Sequence, residues 1–186
     1  MSLRAALDAD VLVRMPLCDT LLRLAGAELF DPVWSDRILA EVQRALVSDL
    51  GVPVGKAERR VQMMREVFGS ATVAPEHIDR LEPRMTNAFG DRHVLAAAVA
   101  AGAQVIVTFN TRDFPREACK PLGVEALHPD DFLVRQLGLD RRKVRFVLHE
   151  QAAGLSRPPV TLDVVLDTLS DFVPVFVETF RRMPST

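Results

Sequence analysis

Residues 91–108 constrain the fold most, because a helical pattern there runs directly into an apolar strand. The helical part, DRHVLAAAVAAG, begins with Asp and ends with Gly, which are both favourable at those helix termini, and AQVIVT follows at once. A run of successive apolar residues such as VIV is typical of a strand that is buried on both faces of a sheet. A helix that leads into such a strand predicts an α/β domain with a parallel sheet.

The same alternation of strand and helix continues along most of the chain. Strands are predicted at 3–8, 29–34, 70–75, 103–108 and 124–128, and helices at 18–27, 35–50, 54–69, 91–102 and 129–139. Ser35 is a suitable N-cap for its helix, and a polar loop is expected from residue 76 to Gly90. The pattern predicts an α/β fold in which a parallel sheet of about five strands has helices on both faces.

The remainder of the chain carries only helical patterns, at 142–155 and 160–183, with a Pro pair between them. We therefore expect an α/β domain at 1–138 and a C-terminal helical extension at 139–186. The extension has many apolar side chains: Phe146, Val147, Leu166, Leu169, Phe172, Val175, Phe176 and Phe180. Such a surface needs cover from the domain, from a second copy or from another protein.

Composition limits the class of protein. The 186 residues are 48% hydrophobic and 26% charged, which indicates a globular chain. No apolar run reaches the roughly 18 residues that a membrane span needs, and the start, MSLRAALDAD, lacks the apolar region of a signal peptide, so a cytoplasmic protein is expected. Cys18 and Cys119 fit no metal-ligand spacing and are predicted to be reduced thiols.

Basic side chains are concentrated in two helical segments, although the net charge of −2 gives no general attraction to nucleic acid. One segment carries Lys56, Arg59, Arg60 and Arg65, and the other carries Arg141, Arg142, Lys143 and Arg145. Each cluster could neutralise phosphates or could be an ordinary solvated helix face, and both interpretations stay open.

Acidic and amide side chains fall where the strands of the predicted sheet end, which is where sites form in parallel sheets. Asp8 and Asp10 end the first strand, Asn110 and Asp113 follow the fourth, Asp91 begins the helix before it, and Glu41 borders the apolar stripe of helix 35–50. Singly, each could be a strand-end acid, a surface residue, a turn residue or a helix cap. Together they would repel one another unless a cation lay among them, and oxygen ligands favour Mg²⁺ or Mn²⁺.

The order and spacing of these residues resemble the PIN-domain nucleases, the fold of the VapC-type toxin ribonucleases. The matching segments are LDADVLV at 7–13, VWSDRILAEV at 33–42, DRHVLAAAVAAGAQVIVTFNTRDFP at 91–115 and VEALHPDDFL at 124–133. The helical extension is similar to the C-terminus of one subfamily. The resemblance implies a metal-dependent endoribonuclease that uses Mg²⁺ or Mn²⁺, with RNA as its substrate. The partners expected are a cognate antitoxin protein and a second copy of the chain, with no membrane.

The resemblance also implies roles for individual residues. Asp8, Glu41 and Asp91 match the acids that bind metal and activate water, and Asn110 and Asp113 complete the catalytic set. Many members have a fourth Asp where this chain has Asn110, so Asp113 is a candidate to supply the missing charge. Asp10, Ser35 and Thr108 are expected to support the site. RNA-binding candidates are Lys56, Arg59, Arg60, Arg92 and Arg112.

Two other functions fit parts of the pattern. Asn110 favours a PIN-like module that binds RNA or protein without cutting. The opening DADVL also resembles haloacid-dehalogenase-like phosphatases, with Asp8 as nucleophile and Asp10 as acid/base. VIVT, Lys120 and the pair Asp130–Asp131 would then be the later phosphatase motifs. That interpretation leaves Glu41 and Asp91 without a role, and it places Leu12 where Thr or Val is usual.

Overall fold

The computed structural model describes residues 2–154 and 160–183, so the Pro pair at 158–159 lies outside the described residues. Its sheet consists of β1 (Arg4–Leu7), β2 (Asp31–Ser35), β3 (Thr72–Val73), β4 (Val105–Val107) and β5 (Glu125–Leu127). The strands are parallel and lie in the order β3-β2-β1-β4-β5. This arrangement confirms the predicted α/β fold with a five-stranded parallel sheet.

The helices connect the strands and extend beyond the last one. They are α1 (Ala9–Leu12), α2 (Leu17–Gly26), α3 (Asp36–Ser48), α4 (Val54–Val67), α5 (Pro75–Leu81), α6 (Arg92–Ala100), α7 (Arg116–Cys119), α8 (Pro129–Leu139), α9 (Arg141–Gly154), α10 (Leu162–Ser170) and α11 (Pro174–Arg181). The Ser35 hydroxyl accepts a 3.1 Å hydrogen bond from the Ile38 N–H, which confirms the predicted N-cap of α3. No helix among the described residues is long and apolar enough to cross a membrane.

Two local predictions about secondary structure were wrong. The expected polar loop after residue 75 contains α5, which begins at a Pro and buries only Ile78. One buried residue gives too weak a periodic pattern to identify so short a helix. The segment 160–183 is not one helix but two, because α11 starts at Pro174, which lacks the N–H that would continue α10.

The C-terminal helices pack on the α/β part of the chain and share its core. Helix α9 contacts α2, and α11 contacts α8. Val147, Leu169 and Phe176 belong to the same buried cluster as the strands β1 and β4. Most of the apolar surface of the extension is therefore buried, against the domain and among the C-terminal helices themselves. The exposed large apolar side chains among its described residues are Leu139, Phe146, Val164 and Val175, with exposed fractions of 68%, 64%, 50% and 56%.

Asp130 on α8 joins the two parts directly. Its buried carboxylate accepts hydrogen bonds from the Val175 N–H at 3.0 Å and the Phe176 N–H at 2.7 Å. These are free donors in the first turn of α11, so Asp130 acts as a cap from another helix. Cys18 and Cys119 are free and buried.

Candidate active site

The register of the two central strands brings Asp8, Asp10 and Thr108 together. Leu7 of β1 lies opposite Val107 of β4, so the residues that follow each strand are neighbours at the carboxyl edge of the sheet. The Thr108 hydroxyl lies 2.9 Å from Asp8 Oδ2 and 3.2 Å from Asp10 Oδ2. The Phe109 N–H donates to Asp10 Oδ2 at 2.9 Å. The two carboxylates that follow β1 therefore lie against the end of β4, its neighbour in the sheet.

Asp8 is the most buried acid of this group, with 6% of its surface exposed. It begins α1, where its carboxylate accepts a 2.7 Å hydrogen bond from the Ala9 N–H. Burial, and then the charge of Asp10, raise the pKa of Asp8 to about 6. The pKa of Asp10 is also raised, mainly by burial. The hydrogen bonds and positive charges around these two carboxylates therefore do not fully offset the cost of burying them in ionised form.

Asp91 extends the group of acids across the edge of the sheet. Burial raises its pKa, and the nearby charges of Asp8, Asp113 and Glu41 add to the effect. Asp91 occupies the N-cap position of α6, but its side chain makes no capping hydrogen bond. The carboxylate is therefore available for another ligand. The Asp113 carbonyl accepts from the Ala88 N–H at 3.1 Å, which ties the turn after β4 to the loop before Asp91.

Glu41 reaches the edge of the sheet from α3 and meets His93, which lies two residues after Asp91 on α6. His93 is 1% exposed, and its Nε2 lies 3.3 Å from Glu41 Oε1. Arg37 Nε lies 3.8 Å from the same oxygen. His93 could not be recognised from the sequence as part of the site, because a single His within an apolar helical stripe is typical of a core residue. The only signal was a polar side chain among alanines and valines.

The acids at this edge supply suitable ligand atoms for a divalent cation, but they are not close enough together to form a complete coordination site. Within residues 2–154 and 160–183, no three His, Cys, Asp or Glu side chains lie close enough to hold an ion as they stand. The donors are carboxylate oxygens, which hard cations prefer. Asp10 Oδ1 is buried and has no hydrogen-bond partner among the described residues, a state that a cation or an ordered water would relieve. The donor set therefore fits Mg²⁺ or Mn²⁺ if the acids close around it.

The remaining catalytic and supporting candidates occupy different environments. Asn110 is exposed, its backbone N–H donates to the Thr108 hydroxyl at 3.0 Å, and its side chain does not cap the turn that follows. The Ser35 hydroxyl is buried and engaged at the start of α3. Its observed contact is structural.

The RNA-binding candidates do not form one surface. Lys56, Arg59 and Arg60 line a groove between α2 and α4. Arg60 donates to the Leu12 carbonyl. Arg92 donates to the Asn87 carbonyl at 3.4 Å, and its guanidinium lies 5.3 Å from the Phe89 ring centre. Arg112 is exposed on the turn after β4.

The second basic cluster lies at the other edge of the sheet. Lys143 donates to the carbonyl of Ala27, which ends α2 shortly before β2 begins. The start of α9, with Arg141 and Arg142, is therefore near the amino-terminal ends of the strands. The acids lie at the opposite, carboxyl edge, so this cluster is remote from them.

The phosphatase interpretation is not supported by the placement of its later motifs. Lys120 lies in the connection that leads to the start of β5, whereas Asp8 follows the end of β1. The Asp130 carboxylate is occupied by two N–H groups of α11. Neither side chain is placed to assist a nucleophile at Asp8.

Comparisons with known proteins agree with this geometry. The PIN domain model matches residues 4–112, and the model of the VapC50 C-terminal domain matches residues 129–182. A protein of Mycobacterium tuberculosis (strain ATCC 25618 / H37Rv), named "Putative ribonuclease VapC50", is 39% identical over 142 residues, which cover 70% of this chain and 84% of that protein. No solved structure matches the chain.

The chain belongs to the PIN-domain family, a class of proteins that the parallel sheet with acids at its carboxyl edge also indicates. Within that class it is of the VapC type, with a C-terminal region like that of VapC50. The resemblance drawn from the spaced acids and the helical extension is confirmed.

Proposed function

We propose that this chain is an endoribonuclease that cleaves RNA phosphodiester bonds with Mg²⁺ or Mn²⁺ and serves as the toxin of a toxin–antitoxin pair. The observation that carries the proposal is the group of acids at one edge of the sheet. Asp8 and Asp10 share the Thr108 hydroxyl. Asp91 and Glu41 lie near enough for their charges to add to the effect of burial on the pKa values there. Isolated structural acids would have no reason to raise one another's pKa. The name of the VapC50 relative supports RNA as the substrate class.

In this proposal, one group of side chains would hold the cation and another would fix the positions of those ligands. Asp8, Glu41 and Asp91 would hold the cation, with Asn110 and Asp113 beside them. A bound divalent cation lowers the pKa of water and stabilises the charge that develops on a phosphodiester. Ala9 and Thr108 fix the Asp8 carboxylate, and His93 fixes Glu41. Asp10 lies against the Phe109 N–H and supports the same edge.

Replacement of Asp91 tests the proposal. We expect Asp91→Asn to lower RNA cleavage by about a hundredfold or more, because it removes a charged ligand. The fold should persist, since the Asp91 side chain makes no capping hydrogen bond that Asn would lose. Cleavage of a fluorescent single-stranded RNA in Mn²⁺ measures activity, and circular dichroism melting measures the fold.

A matched control is Asp163→Asn, which neutralises an exposed acid in the first turn of α10. It should cleave like the wild type. Full activity of Asp91→Asn, or wild-type cleavage in excess EDTA, would contradict a metal-dependent nuclease.

A second candidate function is a PIN-like module that binds RNA or protein without cutting it. The exposed, uncharged Asn110 favours this alternative, because the turn after β4 then contributes less charge to hold a cation. The same assay separates the two: a binding module would retain RNA without cleavage at any Mn²⁺ concentration.

An antitoxin partner is part of the proposal. A groove of about 600 Å³ between α2 and α4 has an apolar floor, on which Met15 and Met63 are 51% and 55% exposed, and a basic rim with Lys56 and Arg59. Such a groove suits an apolar helix flanked by acids. Co-purification with the product of the neighbouring upstream reading frame, lost in Met63→Glu, would support this. Retention of that partner by Met63→Glu would place it elsewhere.

The cellular location and the oligomeric state belong to the same proposal. A toxin that acts on RNA is expected in the cytoplasm, and cell fractionation tests this. A homodimer is also expected, and sedimentation velocity of the purified chain tests it. A monomer at all concentrations would contradict the dimer without affecting the nuclease.

A further inference from the structure

A cleft of about 490 Å³ opens beside the acids and has arginines on its walls. Its lining includes Asp10 and Glu41, which belong to the proposed acid group, and the two arginines Arg14 and Arg44. A third acid, Asp49, lines the cleft after the end of α3, and its carboxylate accepts a 2.8 Å hydrogen bond from the Ser48 hydroxyl. Arg14 follows α1, and Arg44 lies on α3, one turn after Glu41. The cleft therefore leads from a negatively charged edge to two positive side chains, an arrangement that could hold a phosphate chain next to a cation site.

Arg14 is the better defined of the two arginines. Its side chain is exposed, and no carboxylate or carbonyl of the described residues accepts a hydrogen bond from its guanidinium. The guanidinium carbon lies 4.7 Å from the ring centre of Phe109 and 5.7 Å from that of Phe172. Contact with ring faces orients a guanidinium without using its N–H donors. These donors therefore remain available for an anion.

Both rings lie beside Arg14 and make further contacts of their own. The Phe109 N–H donates to Asp10 Oδ2 at 2.9 Å, and the Phe109 ring packs edge-on against His128 at 5.0 Å. Phe172 lies in the turn between α10 and α11, with its ring centre 6.4 Å from that of Phe109. The C-terminal helices thus place one aromatic side chain beside the proposed active site.

Asp10 does not neutralise Arg14. The two residues line the same cleft, and the positive charge of Arg14 offsets part of the rise in the pKa of Asp10 that burial causes. They are not within ion-pair distance in the part of the chain that the structure describes, and the bonded Asp10 oxygen is engaged by Phe109 and Thr108. Arg44 likewise makes no ion pair with the described residues. Among the described residues, neither guanidinium has a carboxylate partner, so both can bind an anionic group of a ligand.

We infer that Arg14 and Arg44 bind a backbone phosphate of single-stranded RNA next to the bond that is cut, and that the C-terminal helices position Arg14 through Phe172. This inference rests on the proposed function. A chain of net charge −2 with an acidic site would repel a polyanion without local cations. The cleft supplies those cations at the place where the strand must enter.

The test measures RNA binding by the full chain in EDTA, where the proposed cleavage cannot proceed. The probes are two fluorescein-labelled single-stranded RNAs of unrelated sequence, followed by anisotropy across a salt series. We expect Arg14→Gln and Arg44→Gln each to weaken binding of both RNAs on the order of five- to tenfold at low salt. Each should also reduce the slope of log K against log salt by about 0.7, the value for one lost phosphate contact with a single strand.

Arg141→Gln is the matched control, because it removes an exposed arginine at the opposite edge of the sheet. Its affinity and salt slope should stay close to those of the wild type. If Arg14→Gln also behaves like the wild type while Asp91→Asn abolishes cleavage, the inference is wrong and the proposed nuclease stands. If the wild type binds neither RNA in EDTA, the inference is wrong, and the proposed nuclease is then decided by the cleavage assay in Mn²⁺ alone.

Phe172 is tested by two variants in the same assay. Phe172→Tyr keeps the ring face and should preserve affinity and slope, whereas Phe172→Leu should weaken binding several-fold and reduce the slope. A purely structural Phe172 would lower the melting temperature in Phe172→Leu without changing the salt slope. That result would show that the C-terminal helices do not position Arg14 for RNA binding.

Discussion

Burial in the fold opposes the ionisation of the Asp8 carboxyl, and this effect can be measured as a pH dependence of stability. The pKa rises from 3.8 to about 6 on folding, first because of burial and then because of Asp10. Between these values the folded chain binds more protons than the unfolded chain. The contribution of Asp8 to stability therefore falls as the pH rises through this window. The loss amounts to about 3 kcal/mol, from a shift of about two pKa units.

Asp8→Asn should remove this loss in the metal-free protein. We expect the variant and the wild type to have similar free energies of unfolding near pH 4, and the variant to be more stable at pH 8 by up to about 3 kcal/mol. Urea unfolding in EDTA at both pH values measures the difference. Equal pH dependence in the two proteins would show that Asp8 ionises in the fold as it does in the unfolded chain.

Asn110 raises the question of whether a neutral side chain beside the acids limits metal binding. An amide oxygen can ligate Mg²⁺ but adds no charge, and here the side chain is exposed and does not cap its turn. We expect Asn110→Asp to tighten Mn²⁺ binding several-fold and to lower the stability of the metal-free protein through repulsion by Asp91 and Asp113. Calorimetric Mn²⁺ titration, run beside the cleavage assay, measures this.

The outcomes of that titration are distinct. Unchanged metal affinity and cleavage would make Asn110 a turn residue only. A loss of stability with no gain in metal binding or activity would indicate a site without function. An absence of Mn²⁺ binding by the wild type would contradict the proposed cofactor itself.

The positions of some site residues could be predicted from the sequence, and those of others could not. Asp8, Asp91 and Thr108 could be placed at one edge because strand ends in a parallel sheet have a known geometry. His93 and Arg14 could not, because their partners are distant along the chain and no periodic pattern connects them. The contact of His93 with Glu41 depends on how α6 lies relative to α3, and that of Arg14 with Phe172 depends on where the turn between α10 and α11 lies.

At the scale of elements, strong periodicity and clear end signals decided what could be predicted. The four longer strands and the helices α3, α4, α6 and α8 have both, and their positions were predicted to within a few residues. Helix α5 buries one side chain, and α1 and α7 have only four residues each, too few to show a period. Such elements form because tertiary packing supports them.

Asp130 makes the position of α11 depend on α8. The carboxylate accepts two backbone N–H groups, so Asp130→Asn would lose one bond and place an amide donor against another donor. We expect this change to lower the free energy of unfolding by about 2 kcal/mol. Asp131→Asn, at the exposed neighbouring position, should change it by less than about 0.5 kcal/mol. Urea denaturation compares them, and equal effects would mean that the cap contributes nothing.

For the whole molecule, the main question is whether the C-terminal helices form a separate unit. The family model for that region begins at residue 129 and so includes α8, whereas the change of pattern in the sequence favoured a division after residue 138. Helices α8, α9 and α11 join one buried cluster with the strands. The sequence showed that the extension was apolar, but only the packing showed where its apolar surface is buried. We propose that the extension folds with the domain rather than independently.

Truncation after residue 138 tests this dependence. The cut removes α9, α10 and α11 and uncovers the faces of α2 and α8 on which they pack. Both helices carry fully buried leucines, Leu21 and Leu24 on α2 and Leu133 on α8, and the cut removes part of the cover over these helices. Because a large newly exposed apolar patch promotes association, we expect the truncated chain to aggregate or to be insoluble. Size-exclusion chromatography with light scattering and the binding of a hydrophobic dye compare it with the full chain. A soluble, monomeric and equally stable fragment 1–138 would show that the extension is an independent domain.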